Sequence, residues 1–268
     1  MASRPSSPQL EFDFGAIEPG GHPDFGQGDR IAWLKRLRDA YLAGMFGGTT
    51  HEVYPEVEPG SRENYLYFTL APALNFQRSS EGLWRAAFAT YQDPGTHFAF
   101  FPENTETESL DNYKNALVAH RLALQPQKHS DIWYRISSTL RTEFDSDPRV
   151  LLRTFNFDVA RVKEHVQAHK KAFPYISGPK LLNYWLYMLL SFTDVPLVSR
   201  DEISIIPDVH VCRASARLGL VPQEPEPNPE RVAAAWKELL QGSGIAPCDL
   251  HAPLWRWSRA GFPELPRL

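Results

Sequence analysis

Apolar residues recur three and four positions apart through much of the chain, the spacing of an α-helix with one buried face. Ile31, Leu34, Leu37, Tyr41 and Leu42 repeat this way and predict a helix over 29–45. Further helices are predicted over 110–124, 131–143, 148–153 and 158–172, the last with Asp158 as N-cap and Pro174 beyond its end. Residues 181–192 are apolar on every side, which in a folded domain means a helix buried all round. A helix over 208–218 closes at Gly219, and 230–240 is the last clear helical pattern. The aromatic stretches 65–76 and 96–101 fit either short strands or buried helix ends, with Pro94-Gly95 marking a turn between them. Residues 46–64 form a Gly/Pro-rich connection, 193–207 a loop with an extended piece at 202–206, and 221–229 a proline-stiffened linker. No internal repeat is visible. The expected fold is mainly α and two-lobed, with a few short strands. The expected division is a flexible arm (1–28), a helical lobe with an aromatic patch (29–150), a second lobe (151–220), and a linker, helix and aromatic segment (221–268) packing back on the first lobe.

Composition narrows this only a little. The chain has 268 residues, 43% hydrophobic and 22% charged, ordinary for a globular protein with a real core. A net charge of −4 does not advertise a polyanion partner. Residues 153–180, however, carry Arg153, Arg161, Lys163, Lys170, Lys171 and Lys180 against Asp158 and Glu164, a local excess of six minus two, +4. Such a face is an electrostatic footprint for phosphates. Two cysteines provide no disulfide framework and cannot hold a four-cysteine iron–sulfur cluster. The apolar run at 181–192 is interrupted by Asn183 and too short for a bilayer, and the N-terminus lacks a signal pattern. The expectation is a cytoplasmic monomer with no membrane association and no cofactor.

Two segments carry candidate chemistry. Ser177-Gly178-Pro179-Lys180 sits between two helical patterns. A hairpin there would aim backbone N–H groups and a helix N-terminus at an anion, with glycine allowing close approach and proline favoured at the helix start. An ordinary helix corner fits the same residues. Asp208 stands after Pro207 and before a helix, where a plain N-cap is the simplest role. His165 and His169 have a metal-like i, i+4 spacing, but no third ligand suggests itself, so no metal is expected and a solvated basic face is the reading. No Walker, dinucleotide-binding or nucleophile-elbow pattern occurs.

Taken together, Phe173-Pro174-Tyr175-Ile176-Ser177-Gly178-Pro179-Lys180 and Ile206-Pro207-Asp208-Val209-His210-Val211-Cys212-Arg213, continuing to Arg217-Leu218-Gly219-Leu220, resemble the two signature segments of the helix-hairpin-helix DNA glycosylase superfamily. The resemblance implies that Asp208 is the catalytic carboxylate and Lys180 the amine nucleophile. It further implies that Ser177, Gly178, His210 and Arg213 hold the DNA backbone, and Lys170 and Lys171 of the basic face would add phosphate contacts beside them. Two departures stand out. Ile176 occupies the place of the family's first hairpin glycine, and the Lys–Asp gap, 208 − 180 = 28, exceeds the family's usual spacing, which fits an insertion within 193–205.

The chemistry explains the residue types. Breaking an N-glycosidic bond builds positive charge on the sugar, which a carboxylate stabilises. A neutral Lys180 amine attacking the anomeric carbon would form a Schiff base and permit strand cleavage; with Lys180 only contacting phosphate, water attacks instead. Desolvation and a helix N-terminus would supply the depressed pKa the amine needs. An extruded base needs a stacking pocket; Asn75, Phe76, Trp84, Trp185, Asp249, His251 and Trp255 are the candidates. The expected partner is double-stranded DNA containing a modified base, either oxidised guanine (repair) or a bulky phage-type modified cytosine (antiviral defence). The alternatives are a queuosine-nucleotide N-glycosylase, similar in scaffold and in a Leu74-Asn75-Phe76 segment, and a non-catalytic helix-hairpin-helix DNA-binding module.

Overall fold

The computed structural model describes residues 26–46, 52–75, 78–222 and 228–265. The N-terminal arm and much of the proline linker lie outside them. Eleven α-helices occur among the described residues: α1 (Gln27–Leu42), α2 (Arg62–Leu70), α3 (Ser80–Gln92), α4 (Leu110–Ala119), α5 (Pro126–Glu143), α6 (Pro148–Thr154), α7 (Val159–Ala168), α8 (Pro179–Phe192), α9 (Val209–Arg217), α10 (Pro229–Leu240) and α11 (Pro247–Arg259). The protein is mainly helical.

The helix starts are written in the local sequence. Ser61, Ser79, Ser109, Asp147, Asp158, Asp208 and Asn228 each cap a helix by accepting a backbone N–H from its first turn, and proline opens α5, α6, α8, α10 and α11. The short strands expected in the aromatic stretches are absent among the described residues. Residues 65–74 continue α2 into the 3-10 turn Ala71–Leu74, and His97–Phe100 is another such turn. Asn64 to Leu74 are all buried, so the segment shows no exposed face and its periodicity is hidden. Among the described residues the one β-type pairing is an isolated bridge between Asp158 and Val198.

Two apolar cores form. The larger gathers α2 to α8 around a ring cluster in which Tyr67 stacks on Phe100 at 5.5 Å and packs near Trp84 and Tyr91. Its tryptophans are satisfied internally: Trp133 Nε1 donates to the Ala99 carbonyl at 2.7 Å, Trp84 to the Tyr184 hydroxyl at 3.0 Å and Trp185 to Thr69 Oγ1 at 3.2 Å. The smaller core joins α1 to α9, α10 and α11, through Leu34, Leu37, Val211, Trp236, Leu250, Leu254 and Trp257. The C-terminal helices pack on α9 and on α1, and α1 leaves its sequence neighbours to lie against α11, with Trp33 edge-on to Trp257 at 4.9 Å.

Residues 193–208 cross between the two cores and are pinned along their length. Val159 N–H donates to the Val198 carbonyl and Val198 N–H to that of Phe157. Lys163 Nζ donates to the Glu202 carbonyl (2.7 Å) and to Asn183 Oδ1 (3.2 Å), and the same Asn183 oxygen accepts the Ser204 N–H at 2.9 Å. Asn183 also donates to the Pro179 carbonyl at 2.7 Å. One side chain thus ties the first turn of α8 to the strap that delivers Asp208.

Candidate active site

Residues 169–178 form the turn that joins α7 to α8. Within the turn, Ile176 N–H donates to the Pro174 carbonyl, Ser177 N–H to Phe173 and Gly178 N–H to Tyr175. These donors are consumed internally, so the turn is not the open N–H nest expected at Ser177 and Gly178. The left-handed residue is Tyr175 (φ 64°), while Gly178 is extended at φ −72°. At 178 a Cβ would lie 3.1 Å from the Tyr175 carbonyl oxygen, a tight contact that glycine avoids. Lys180 and Leu181 follow the proline in the first turn of α8, where N–H groups have no partner within the helix.

Lys180 is exposed, contrary to the desolvated environment expected of it. Lys180, Tyr184 and Tyr187 fall at i, i+4 and i+7 on one face of α8. Asp208 is half-buried at the N-cap of α9; its Oδ1 accepts the Val211 N–H at 2.9 Å, while Oδ2 carries no hydrogen bond among the described residues. The cap role is real, and it leaves half of the carboxylate open.

The two charges are not ion-paired with each other among the described residues, yet they act on the same two side chains. Burial holds the His251 imidazole below its ordinary pKa, with Asp208 opposing this and Lys180 reinforcing it. Burial likewise pushes the Cys212 thiol up, Asp208 adding to the effect and Lys180 opposing it. His251 reaches this point from α11, its ring edge-on to Tyr187 at 5.0 Å. Its Nδ1 is enclosed and has no hydrogen-bond partner. Burial raises the Tyr187 phenol far above its usual range, with smaller contributions from Tyr41 and Glu52. Glu52 acts in the same sense on Tyr41 and Tyr184.

The remaining nominated residues lie in different surroundings. His210 is half-buried beside the site, edge-on to Trp255 at 5.2 Å with Nδ1 3.4 Å from Ser258 Oγ; burial lowers its pKa, and Arg213 and Arg259 add to this while Asp208 opposes it. Trp255 in turn lies under Arg256 (5.5 Å) and Arg259 (5.0 Å). Lys170 and Lys171 are exposed in the turn after α7. Trp84 and Trp185 are core: they are 0% and 1% exposed with their indole N–H groups already used, so stacking an incoming base on either would require opening the larger core. Asp249 is ion-paired with Arg200 of the strap. Asn75 closes the 3-10 turn after α2, and no hydrogen bond among the described residues joins its side chain to Asp208, Lys180 or His251; Phe76 lies outside the described residues. His165 does not belong to a solvated face. Its ring packs against Phe144, Phe155 and Phe173, and no metal-holding cluster occurs among the described residues.

Sequence reasoning missed Tyr187, Cys212, Asn183 and Glu52. The i, i+4, i+7 stripe from Lys180 would have pointed to Tyr187, and Cys212 lies one turn after Asp208. Asn183 was marked only as a polar interruption of an apolar run, and nothing local marked Glu52.

No protein-family description matches the chain, and no curated protein matches it. Among solved structures it is similar to the crystal structure of the 8-oxoguanine DNA glycosylase of Thermotoga maritima, at 16% identity, covering 86% of this chain and 96% of that one with a TM-score of 0.49.

Proposed function

We propose that the protein is a DNA N-glycosylase that removes a modified base. What supports this is that Asp208, whose Oδ2 carries no hydrogen bond among the described residues, and Lys180 stand at two helix N-termini and both act electrostatically on the His251 imidazole. The α9 N-terminus favours an ionised carboxylate. That carboxylate would face the cation that develops at the anomeric carbon as the C–N bond breaks, its electron pair leaving with the base. Lys180, exposed at the rim, either attacks the anomeric carbon or holds a phosphate while water attacks. His210, Arg213 and the Lys170–Lys171 turn supply cations for the backbone. Trp255 and His251 are the residues that would receive an extruded base. Oxidised guanine and a bulky modified cytosine are the substrate classes to test first, for repair and antiviral defence respectively.

One observation favours the queuosine-nucleotide alternative. The hairpin N–H groups that would hold a DNA backbone are spent on the hairpin itself. A free nucleotide would need no such backbone contacts. Incubation with a panel of modified-base duplexes, followed by hot alkali to reveal abasic sites, decides between the two when queuosine 5′-monophosphate is assayed in parallel. Asp208-dependent strand breaks support the DNA assignment; hydrolysis of the nucleotide without any strand breaks overturns it.

A further inference from the structure

The geometry points to His251 as a hydrogen-bond donor, through Nε2–H of a neutral imidazole, to an acceptor atom on the departing base. The assignment deepens the glycosylase chemistry proposed above and rests on it, but its premises concern this chain alone. Nδ1 is enclosed and without a partner. A proton there would be a buried, unsatisfied N–H, and an imidazolium would need both ring N–H groups satisfied. The ring therefore carries a single proton; placing it on Nε2, which is not enclosed in the same way, leaves at Nδ1 a bare lone pair rather than a buried N–H, the smaller of the two costs. Tyr187 fixes the ring plane by its edge contact.

The surroundings agree with a neutral ring. The charged groups acting on it are Lys180 from α8 and Asp208 from the cap of α9; on α11 itself the nearby carboxylate, Asp249, is taken up by Arg200. Burial outweighs the Asp208 attraction and keeps the imidazole unprotonated near neutral pH. What remains is a fixed donor in the neighbourhood of the catalytic carboxylate. When the C–N bond breaks, its electron pair goes to the base, and negative charge spreads to the ring nitrogens and carbonyl oxygens. A donor held at such an atom stabilises that charge while its own proton stays on Nε2, and water later protonates the released base. Substrates are thus bases that present an acceptor towards α11.

Two measurements on the full chain test this. In nitrogen NMR of histidine-labelled protein, His251 should be the Nε2–H tautomer at pH 7. Its Nε2 signal should move when a tetrahydrofuran-abasic duplex is added together with free 8-oxoguanine or 5-hydroxymethylcytosine. In single-turnover base release, His251→Ala should be slower by about a hundredfold, whereas His251→Gln, which keeps an amide donor, should stay within about tenfold of wild type. An Nδ1–H tautomer, an Nε2 signal indifferent to every probe, or alanine within about threefold of wild type overturns the assignment. If the tautomer and the free-base shift appear but no duplex loses a base, the donor stands and the DNA substrate is the part that falls. If His251→Ala does not fold, the wild-type NMR result and the glutamine variant decide.

Discussion

Replacing Asp208 by Asn separates the carboxylate's two roles. The N-cap survives, because an Asn oxygen accepts the Val211 N–H as Asp Oδ1 does at 2.9 Å. Stability should therefore change by less than about 0.5 kcal/mol, whereas Asp208→Ala should cost about 1 kcal/mol. What Asn removes is the charge of which Oδ2 is the open end. A unit negative charge about 4 Å from a developing cation, at an effective dielectric of about 20, is worth about 4 kcal/mol. That corresponds to about a thousandfold in rate. The assay is single-turnover base release from the best duplex in the panel, read beside duplex affinity and a thermal melt. The expected pattern is a loss of about a thousandfold at unchanged affinity and an unfolding temperature within about 2 °C. Base release within about tenfold of wild type, in a variant that melts normally, would refute the catalytic assignment and leave Asp208 as a cap.

If Lys180 is the nucleophile, borohydride should trap a covalent protein–DNA adduct that Lys180→Gln cannot form; intact abasic sites with no trapped species from the wild type would assign the attack to water. Replacing Lys170 and Lys171 by Ala should weaken binding to all duplexes alike and flatten the salt dependence of affinity, and an unchanged slope would remove the turn from the DNA surface. Asn183→Ala breaks the tie between Pro179, Lys163 and Ser204. It should cost about 1 kcal/mol per lost hydrogen bond and slow base release at unchanged duplex affinity, whereas full activity would show that the strap holds itself. His129 is 1% exposed, its Nδ1 accepts the Leu124 N–H, and burial first, then Arg78 and Lys128, holds its pKa below the ordinary value. The unfolded chain takes up the proton more readily, so stability should fall as pH drops below about 6.5. Denaturant midpoints at several pH values should show a shallower fall in His129→Gln, and an identical slope would count against the burial argument.

Much of the secondary structure follows from local rules. A serine, aspartate or asparagine before an apolar-periodic run, or a proline at its first residue, set the starts of most helices, because capping and fixed φ act within one turn. The aromatic segment at 65–74 defeated the same logic. A helix buried on all sides has no polar face, so it has no period to read. His165 shows the converse: a polar residue on a charged helix reads as solvated, and only the three phenylalanines around it reveal otherwise.

By itself, the sequence determined that the chain is mainly helical and that Asp208 opens a helix, since both depend on neighbours within a few residues. It also marked Lys180 at the start of α8 by proline and hairpin. Tertiary structure alone decided that α1 joins the C-terminal helices and that Trp84 and Trp185 are core. It alone also brought His251, forty-three positions beyond Asp208 (251 − 208), under the charges of both Asp208 and Lys180. The physical reason is common to all three. Burial, desolvation and charge coupling are set by which surfaces meet in space, and packing of helices far apart in the chain leaves no periodic trace in either one.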